Sequence, residues 1–244
     1  MIVHPRWPTT LANDLSAMVH RYGVDSEGFD PLAPPIAAFD FDDTCIRGDI
    51  SHEALHLLED EAPTGRVAHY RAGCEADLYA AYRELVHTLV AGRTPEQARA
   101  LGLRALDRGI ARGSLSLRDE MHELIVLMQA HGWWVRVVTA SPTALVQPVA
   151  ARYGIPPEHV LGMTSRIEGG RYLPELLEPV PIASGKHDVL LAHTQRPPLF
   201  AAGDSRSDEA LMLASRYALL RHHHDTGLRD DAHRRGWWVM EDSP

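Results

Sequence analysis

The chain reads as an α/β protein, a parallel sheet with helices on both faces, interrupted by an inserted block of helices. Three observations predict this. A short apolar run, Ile36-Ala37-Ala38-Phe39, ends in a cluster of carboxylates, Asp40-Phe41-Asp42-Asp43. Residues 51 to about 131 carry helical periodicity almost throughout. From residue 133 onward, strand-like and helix-like stretches alternate, the rhythm of a parallel sheet. The core is expected in residues 1–47 and 132–244, and the helical insert in 48–131.

The elements follow in order. Residues 9–23 place Leu11, Leu15, Met18 and Val19 on one side of an amphipathic helix. A Pro/Gly/Asp stretch then reads as a loop as far as Pro35. Residues 36–41 form the first strand, bounded by Pro34 and Pro35. Helices are expected over 51–60, 66–91, 95–108 and 117–130. The start at Thr94-Pro95-Glu96-Gln97 has a mechanism: Thr94 caps, Pro95 fits the first turn, and Gln97 reaches back. Gly132 ends the last of these helices. A strand over 133–138, a helix over 142–153 ending at Gly154, and a short strand over 159–162 come next. Residues 164–173 contain Gly169-Gly170 and read as a hairpin. Helix 185–193, strand 199–202, helix 207–215, strand 217–220 and an edge strand over 237–240 complete the core. The tract His222-His223-His224 reads as solvated loop, since three adjacent histidines cannot all face one metal.

Hydrophobic residues make up 45% and charged residues 23% of the 244, the balance of an ordinary globular protein. A net charge of −9 argues against nucleic-acid binding, which needs a basic face, but leaves room for a small anionic substrate at a locally cationic site. Two cysteines, Cys45 and Cys74, make no disulfide framework. The N-terminus lacks the apolar segment of a signal peptide, and no apolar run approaches ~18 residues, so a cytoplasmic protein with no membrane partner is expected. The sequence is silent on oligomeric state.

Chemistry concentrates at predicted strand ends. Asp40 and Asp42 share a side of the first strand. Thr139-Ala140-Ser141 closes the strand after the insert, Ser184-Gly185-Lys186 opens a helix, and Gly203-Asp204 to Asp208 closes a further strand. In open parallel sheets ligands bind beyond these ends. Phosphoryl transfer needs an in-line nucleophile and cations on the developing charge. Asp40 suits the nucleophile, forming an aspartyl-phosphate, and Asp42 the general acid and base. Asp40, the backbone carbonyl of Asp42 and Asp204 would hold Mg²⁺, and Lys186 would offset the phosphate charge. The Thr139 hydroxyl and the Ala140 N–H would hold a phosphoryl oxygen at a helix start. Each residue also has a plainer reading. Asp42 or Asp43 suits a turn, Thr139 a strand-end hydroxyl, Lys186 a solvated helix start, and Asp204 and Asp208 a turn and a cap.

Asp40-Phe41-Asp42-Asp43-Thr44, Thr139, Lys186 and Gly203-Asp204 with Asp208 resemble the four motifs of the haloacid dehalogenase superfamily of phosphatases. The resemblance spans almost the whole chain. It implies a Rossmann-like core, an Asp nucleophile, Mg²⁺ with Asp208 behind its ligands, and a cap domain in the insert. Within the superfamily the chain is similar to the phosphoserine and phosphorylcholine phosphatases, through Arg47 and Asp49 after the first motif, Val138 to Pro142, the Trp7-Pro8 opening and the closing Trp237-Trp238-Val239. This implies substrate-binding places for Arg47 and Asp49, the latter near a substrate ammonium, although Asp49 equally suits a helix cap. The aromatic residues that follow the first motif in phosphorylcholine phosphatases are replaced by Ile46 and Gly48. Tyr70, Tyr79 and Tyr82 in the insert could supply an aromatic face in their place, although their helical spacing reads first as packing, and Arg71 and Arg83 are candidates to grip a carboxylate.

The expected function is therefore Mg²⁺-dependent hydrolysis of a small phosphomonoester, including amine-bearing ones such as phosphoserine, phosphoethanolamine or phosphocholine. A phosphotransferase or mutase would use the same intermediate. A non-enzymatic phospho-acceptor would lack the helical insert and the second Asp. Dehalogenase chemistry would need neither Asp42 nor Asp204, and a serine hydrolase built on Ser141 lacks its Gly-x-Ser-x-Gly elbow.

Overall fold

A computed structural model describes residues 1–222 and 225–241. The chain order is α1 (Thr9–Tyr22), β1 (Ile36–Phe39), β2 (Ile46–Arg47), α2 (Ile50–Glu61), α3 (Arg66–Ala76), α4 (Leu78–Val90), α5 (Pro95–Arg112), β3 (Ser116–Leu117) and α6 (Asp119–Ala130). Then come β4 (Trp134–Pro142), α7 (Thr143–Ala150), β5 (Val160–Met163), β6 (Ser165–Glu168), β7 (Arg171–Leu176), α8 (Ser184–Thr194) and β8 (Phe200–Gly203). The chain ends with α9 (Glu209–Leu213), β9 (Tyr217–His222), α10 (Thr226–Arg235) and β10 (Trp238–Glu241).

Among the described residues, six strands form one sheet in the order β10-β9-β8-β1-β4-β5, with every pairing parallel. The first strand lies inside the sheet, which is why its sequence is apolar without alternation. Alternate residues serve the two faces. Ala37 and Phe39 join the core that contains α1, α6 and the insert, whereas Ile36 and Ala38 join Leu190, Leu211 and Leu228 from α8, α9 and α10. The chain winds outward from β1 to β4 and β5, returns to β8 on the other side of β1, and winds outward again. The strand order therefore reverses at β1, the place where open α/β sheets hold their ligands.

The insert leaves and returns through a narrow neck. β2 and β3 pair antiparallel, Arg47 opposite Ser116, and Gly48 sits there with φ +84°, where a Cβ would lie 2.3 Å from the Ser114 carbonyl oxygen. The helix α6, expected to close the insert, packs instead on β4 and α1 through Met121, Leu124 and Ile125, because its chain has already re-entered the core at β3. The expected helix 66–91 is two helices: the Asp77 side chain caps α4 by accepting from the Ala80 N–H, which ends α3. The capping box at Thr94 and Gln97 is present. The strand expected over 133–138 runs on to Pro142 because pairing with β5 resumes beyond an irregularity, so α7 starts only at Thr143. The β6–β7 hairpin turns through Gly169 and Gly170, both at positive φ. His222 belongs to β9, paired with Glu241, and not to a loop; His223 and His224 lie outside the described residues. No described helix is long and apolar enough to cross a membrane.

Candidate active site

The ends of β1, β4 and β8 open onto a cavity of about 380 Å³, lined among others by Asp40, Asp42, Thr139, Lys186, Asp204 and Tyr82. Asp40 is the first residue past β1, and its N–H donates to the Ala202 carbonyl at 2.9 Å, so the β1–β8 ladder itself fixes the carboxylate's position. The same ladder brings Asp204, one residue past β8, to its side.

Lys186 comes from the first turn of α8 and is 3% exposed. Its ammonium pairs with Asp40 and with Asp208, which is fully buried. Burial alone would push this amine down, but the two carboxylates outweigh burial and raise it. Asp208 is fully engaged. Its other oxygen accepts from the N–H groups of Asp204 and Ser205 and from the Ser205 hydroxyl, tying the loop after β8 to Lys186. Gly203 permits this closeness, since a Cβ there would lie 2.3 Å from the Cβ of Asp208.

Carboxylates of Asp40, Asp204 and Asp208 lie within 4.8 Å of one another. Three acids against one lysine leave net negative charge in a buried place. Burial first, and neighbouring Asp208 second, push the Asp40 carboxyl up to about 6, with Lys186 opposing. Burial and the charges of Asp208 and Asp40 push Asp204 well up in the same way. The donor set is all oxygen and short of positive charge, which suits a hard divalent cation. Asp40 and Asp204 fit as ligands, and Asp208, already saturated, fits behind them. Thr44 donates its hydroxyl to Asp40 at 3.2 Å.

Asp42 stands across the cavity. Its Oδ1 accepts from the Ile50 N–H at 2.8 Å, and its Oδ2 accepts from the hydroxyls of Ser141 at 2.7 Å and Thr139 at 3.3 Å. Burial, then Asp49, then Asp40 push its carboxyl well above the ordinary range. Asp43 is the turn residue of the pair. At φ 55° it accepts from the Gly48 N–H at 2.7 Å and closes the 43–48 turn.

Asp49 both caps α2, accepting from the N–H groups of Ser51 and His52, and lines the cavity. Arg47 does not reach it; the residue is exposed in the neck hairpin, held there by the pairing of β2 with β3. Ala140 lines the cavity from within the extended β4, not at a helix start, because α7 begins three residues later. Arg83 pairs with Glu178 and Arg71 borders a separate small cavity in the insert, so neither reaches the site. Tyr82, expected to be packing, places its ring at the cavity with Leu78, one helical turn away on α4. Its other neighbours are His52 and Tyr70. The spacing of Leu78 and Tyr82 was the available signal for a shared face, but nothing in it said which way that face turns. Ser51 and Ser205 were likewise not singled out from the sequence.

A sequence profile of haloacid dehalogenase-like hydrolases matches residues 37–213. No curated protein matches the chain. Among solved structures, a conserved protein of unknown function from Anaerococcus prevotii superposes with a TM-score of 0.79 at 17% identity, covering 99% of this chain and 94% of its own. A protein of unknown function from Bordetella pertussis gives 0.71 at 21% identity, covering 84% and 97%. A substrate-bound phosphoserine phosphatase gives 0.54 at 14% identity, covering 76% and 85%. At these identities the likeness is one of fold.

Proposed function

Since the chain belongs to the haloacid dehalogenase-like hydrolases, we propose that it is a Mg²⁺-dependent phosphatase that cleaves a small phosphomonoester through an aspartyl-phosphate on Asp40. The observation that carries this reading is the buried Asp40–Lys186–Asp208 arrangement beside Asp204, facing Asp42 across one cavity.

An Asp40 oxygen attacks phosphorus as the bond to the ester oxygen breaks. Asp42 gives its proton to the departing oxygen, and the alcohol leaves. Asp42, now a carboxylate, takes a proton from water. The hydroxide attacks phosphorus, the bond to Asp40 breaks, and inorganic phosphate leaves with the Asp40 carboxylate restored. Lys186 offsets charge on Asp40 and on the phosphoryl group. Asp40, Asp204 and the Asp42 carbonyl would hold Mg²⁺, which when bound supplies positive charge for the phosphoryl oxygens.

Substrate choice falls to the part of the cavity supplied by the insert, namely Asp49, Leu78 and Tyr82. A carboxylate, an apolar side chain and an aromatic face suit an amine-bearing leaving group, and no lysine or arginine of the insert is among the described lining residues. The test is turnover of p-nitrophenyl phosphate and of a panel of phosphorylated metabolites, with Mg²⁺ and after chelation, by wild type and Asp40→Asn. Metal-dependent turnover lost in the variant is expected. Full turnover after chelation, or in Asp40→Asn, would overturn the reading.

A further inference from the structure

The geometry points to Ser141, held in turn by Ser51 of the insert, as a positioning residue for the acid/base carboxyl of Asp42. This rests on the phosphatase reading above and assigns a role to a residue that reading does not use.

The hydroxyl of Ser51 donates to Oγ of Ser141 at 2.6 Å, and the hydroxyl of Ser141 donates to Oδ2 of Asp42 at 2.7 Å. With Asp42 ionised the directions are set: the carboxylate only accepts, so the single proton of Ser141 goes to Asp42, and its lone pair takes the proton of Ser51. Ser51 and Ser141 are 1% and 2% exposed, so bulk water competes little for either hydroxyl. The Thr139 hydroxyl also donates to Oδ2, while Thr139 Oγ1 accepts from the Ser141 N–H at 3.0 Å. Among the described residues, Oδ2 thus receives two hydroxyls and Oδ1 only the Ile50 N–H.

Two consequences follow. The plane of the carboxyl group is fixed from both ends, with donors on strand β4 and on the first turn of α2. While both hydroxyls keep donating to Oδ2 in the acid form, that oxygen is the carbonyl oxygen, which leaves Oδ1 to carry the proton. When the ester bond breaks, its electron pair stays on the departing oxygen, and that oxygen takes the Oδ1 proton. Because Ile50 and Ser51 belong to the insert and Ser141 to the core, the acid is aligned only while α2 is seated on β4.

The role separates from mere packing by its dependence on the leaving group. An alkoxide needs the proton, whereas p-nitrophenolate departs nearly without it. kcat/KM isolates this first step from the later hydrolysis. Wild type, Ser141→Ala and Ser51→Ala are compared on glycerol 2-phosphate and p-nitrophenyl phosphate, with thermal midpoints measured alongside. For Ser141→Ala the alkyl ester should lose at least about tenfold and the aryl ester no more than about threefold, a fraction of what a general acid supplies. Ser51→Ala should shift the ratio the same way, by about two- to threefold, and decides alone if Ser141→Ala does not fold. Equal losses on both esters, or an unchanged ratio in a folded variant, would overturn the role of Ser141 while leaving the phosphatase reading intact. A wild-type protein that cleaves neither ester would end both.

Discussion

Nζ of Lys186 lies 2.5 Å from Oδ1 of Asp40, although 146 residues separate them along the chain. The same nitrogen pairs with Asp208, so one ammonium joins the end of β1 to the loop after β8. Each partner is 4% exposed or less, so bulk water screens these three charges little and Lys186 is the cation both carboxylates share.

Lys186→Met should therefore damage both fold and function. It leaves two buried carboxylates without their cation, a loss of about 3–5 kcal/mol for a broken buried pair. Urea unfolding in Mg²⁺-free buffer checks the stability, and turnover of an aryl phosphate should fall at least about a hundredfold. A variant of wild-type stability would mean that Lys186 is not the counter-ion the geometry makes it.

The sheet was legible because β1 announces itself twice, as an apolar run between prolines and as a strand ending in acids. Asp40, Asp42 and Asp204 are legible because residue type and position at a strand end coincide, and Lys186 because it opens a helix in the same chain order. The insert was less so. Helical periodicity locates helices but not their partners, so the sequence alone groups α6 with the insert although it packs on β4. Tyr82 does pack against the core, but an aromatic stripe does not tell that it also lines a cavity until its facing surface is known. Arg47 failed differently, since a two-residue strand at a neck leaves no periodic signal and its pairing with Ser116 is non-local.

Metal binding should depend on pH with a definite sign. The Asp40 carboxyl is raised to about 6, from burial first and Asp208 second. Between the ordinary carboxylate range and about 6, the metal-free folded chain holds a proton that the unfolded chain has lost, so this group lowers stability as pH rises through that window. Mg²⁺ at the proposed site would bind the ionised form and would have to displace that proton in acid. The rise in thermal midpoint on adding saturating Mg²⁺ should be clearly larger near pH 7.5 than near pH 5. An equal rise at both, read by scanning calorimetry, would remove Asp40 from the ligand set.

Asp49 caps α2 and lines the cavity, and one substitution can separate the cap from the proposed contact with a substrate ammonium. Asparagine caps a helix about as well as aspartate, so Asp49→Asn keeps the bonds from Ser51 and His52 but removes the charge. Stability should stay within about 0.5 kcal/mol, while KM for phosphoethanolamine rises severalfold more than KM for glycerol 2-phosphate. Tyr82→Leu should show the same selectivity, by about two- to thirtyfold in kcat/KM, the range of a cation on an aromatic face. Equal effects on both esters would confine Asp49 to capping and Tyr82 to packing.

Gly203 tests whether the close packing behind the site is itself required. A Cβ at this position would stand 2.3, 2.6 and 2.8 Å from Cβ, Cγ and Oδ2 of Asp208. Asp208 cannot give way cheaply, because Lys186 holds one oxygen and three donors from Asp204 and Ser205 hold the other. Nor can the strand, since Gly203 pairs with Leu220 in the sheet. Gly203→Ala should cost about 1–3 kcal/mol, as overpacking does, and should lower turnover at least about tenfold by displacing Asp208 and with it Lys186. Gly28→Ala is the matched control, with nothing within 4 Å of the added methyl, and should change neither by more than about 0.5 kcal/mol or its equivalent in rate. Urea midpoints and steady-state turnover of both variants decide the matter. If Gly203→Ala keeps wild-type turnover despite lost stability, the alignment of Lys186 does not depend on Asp208.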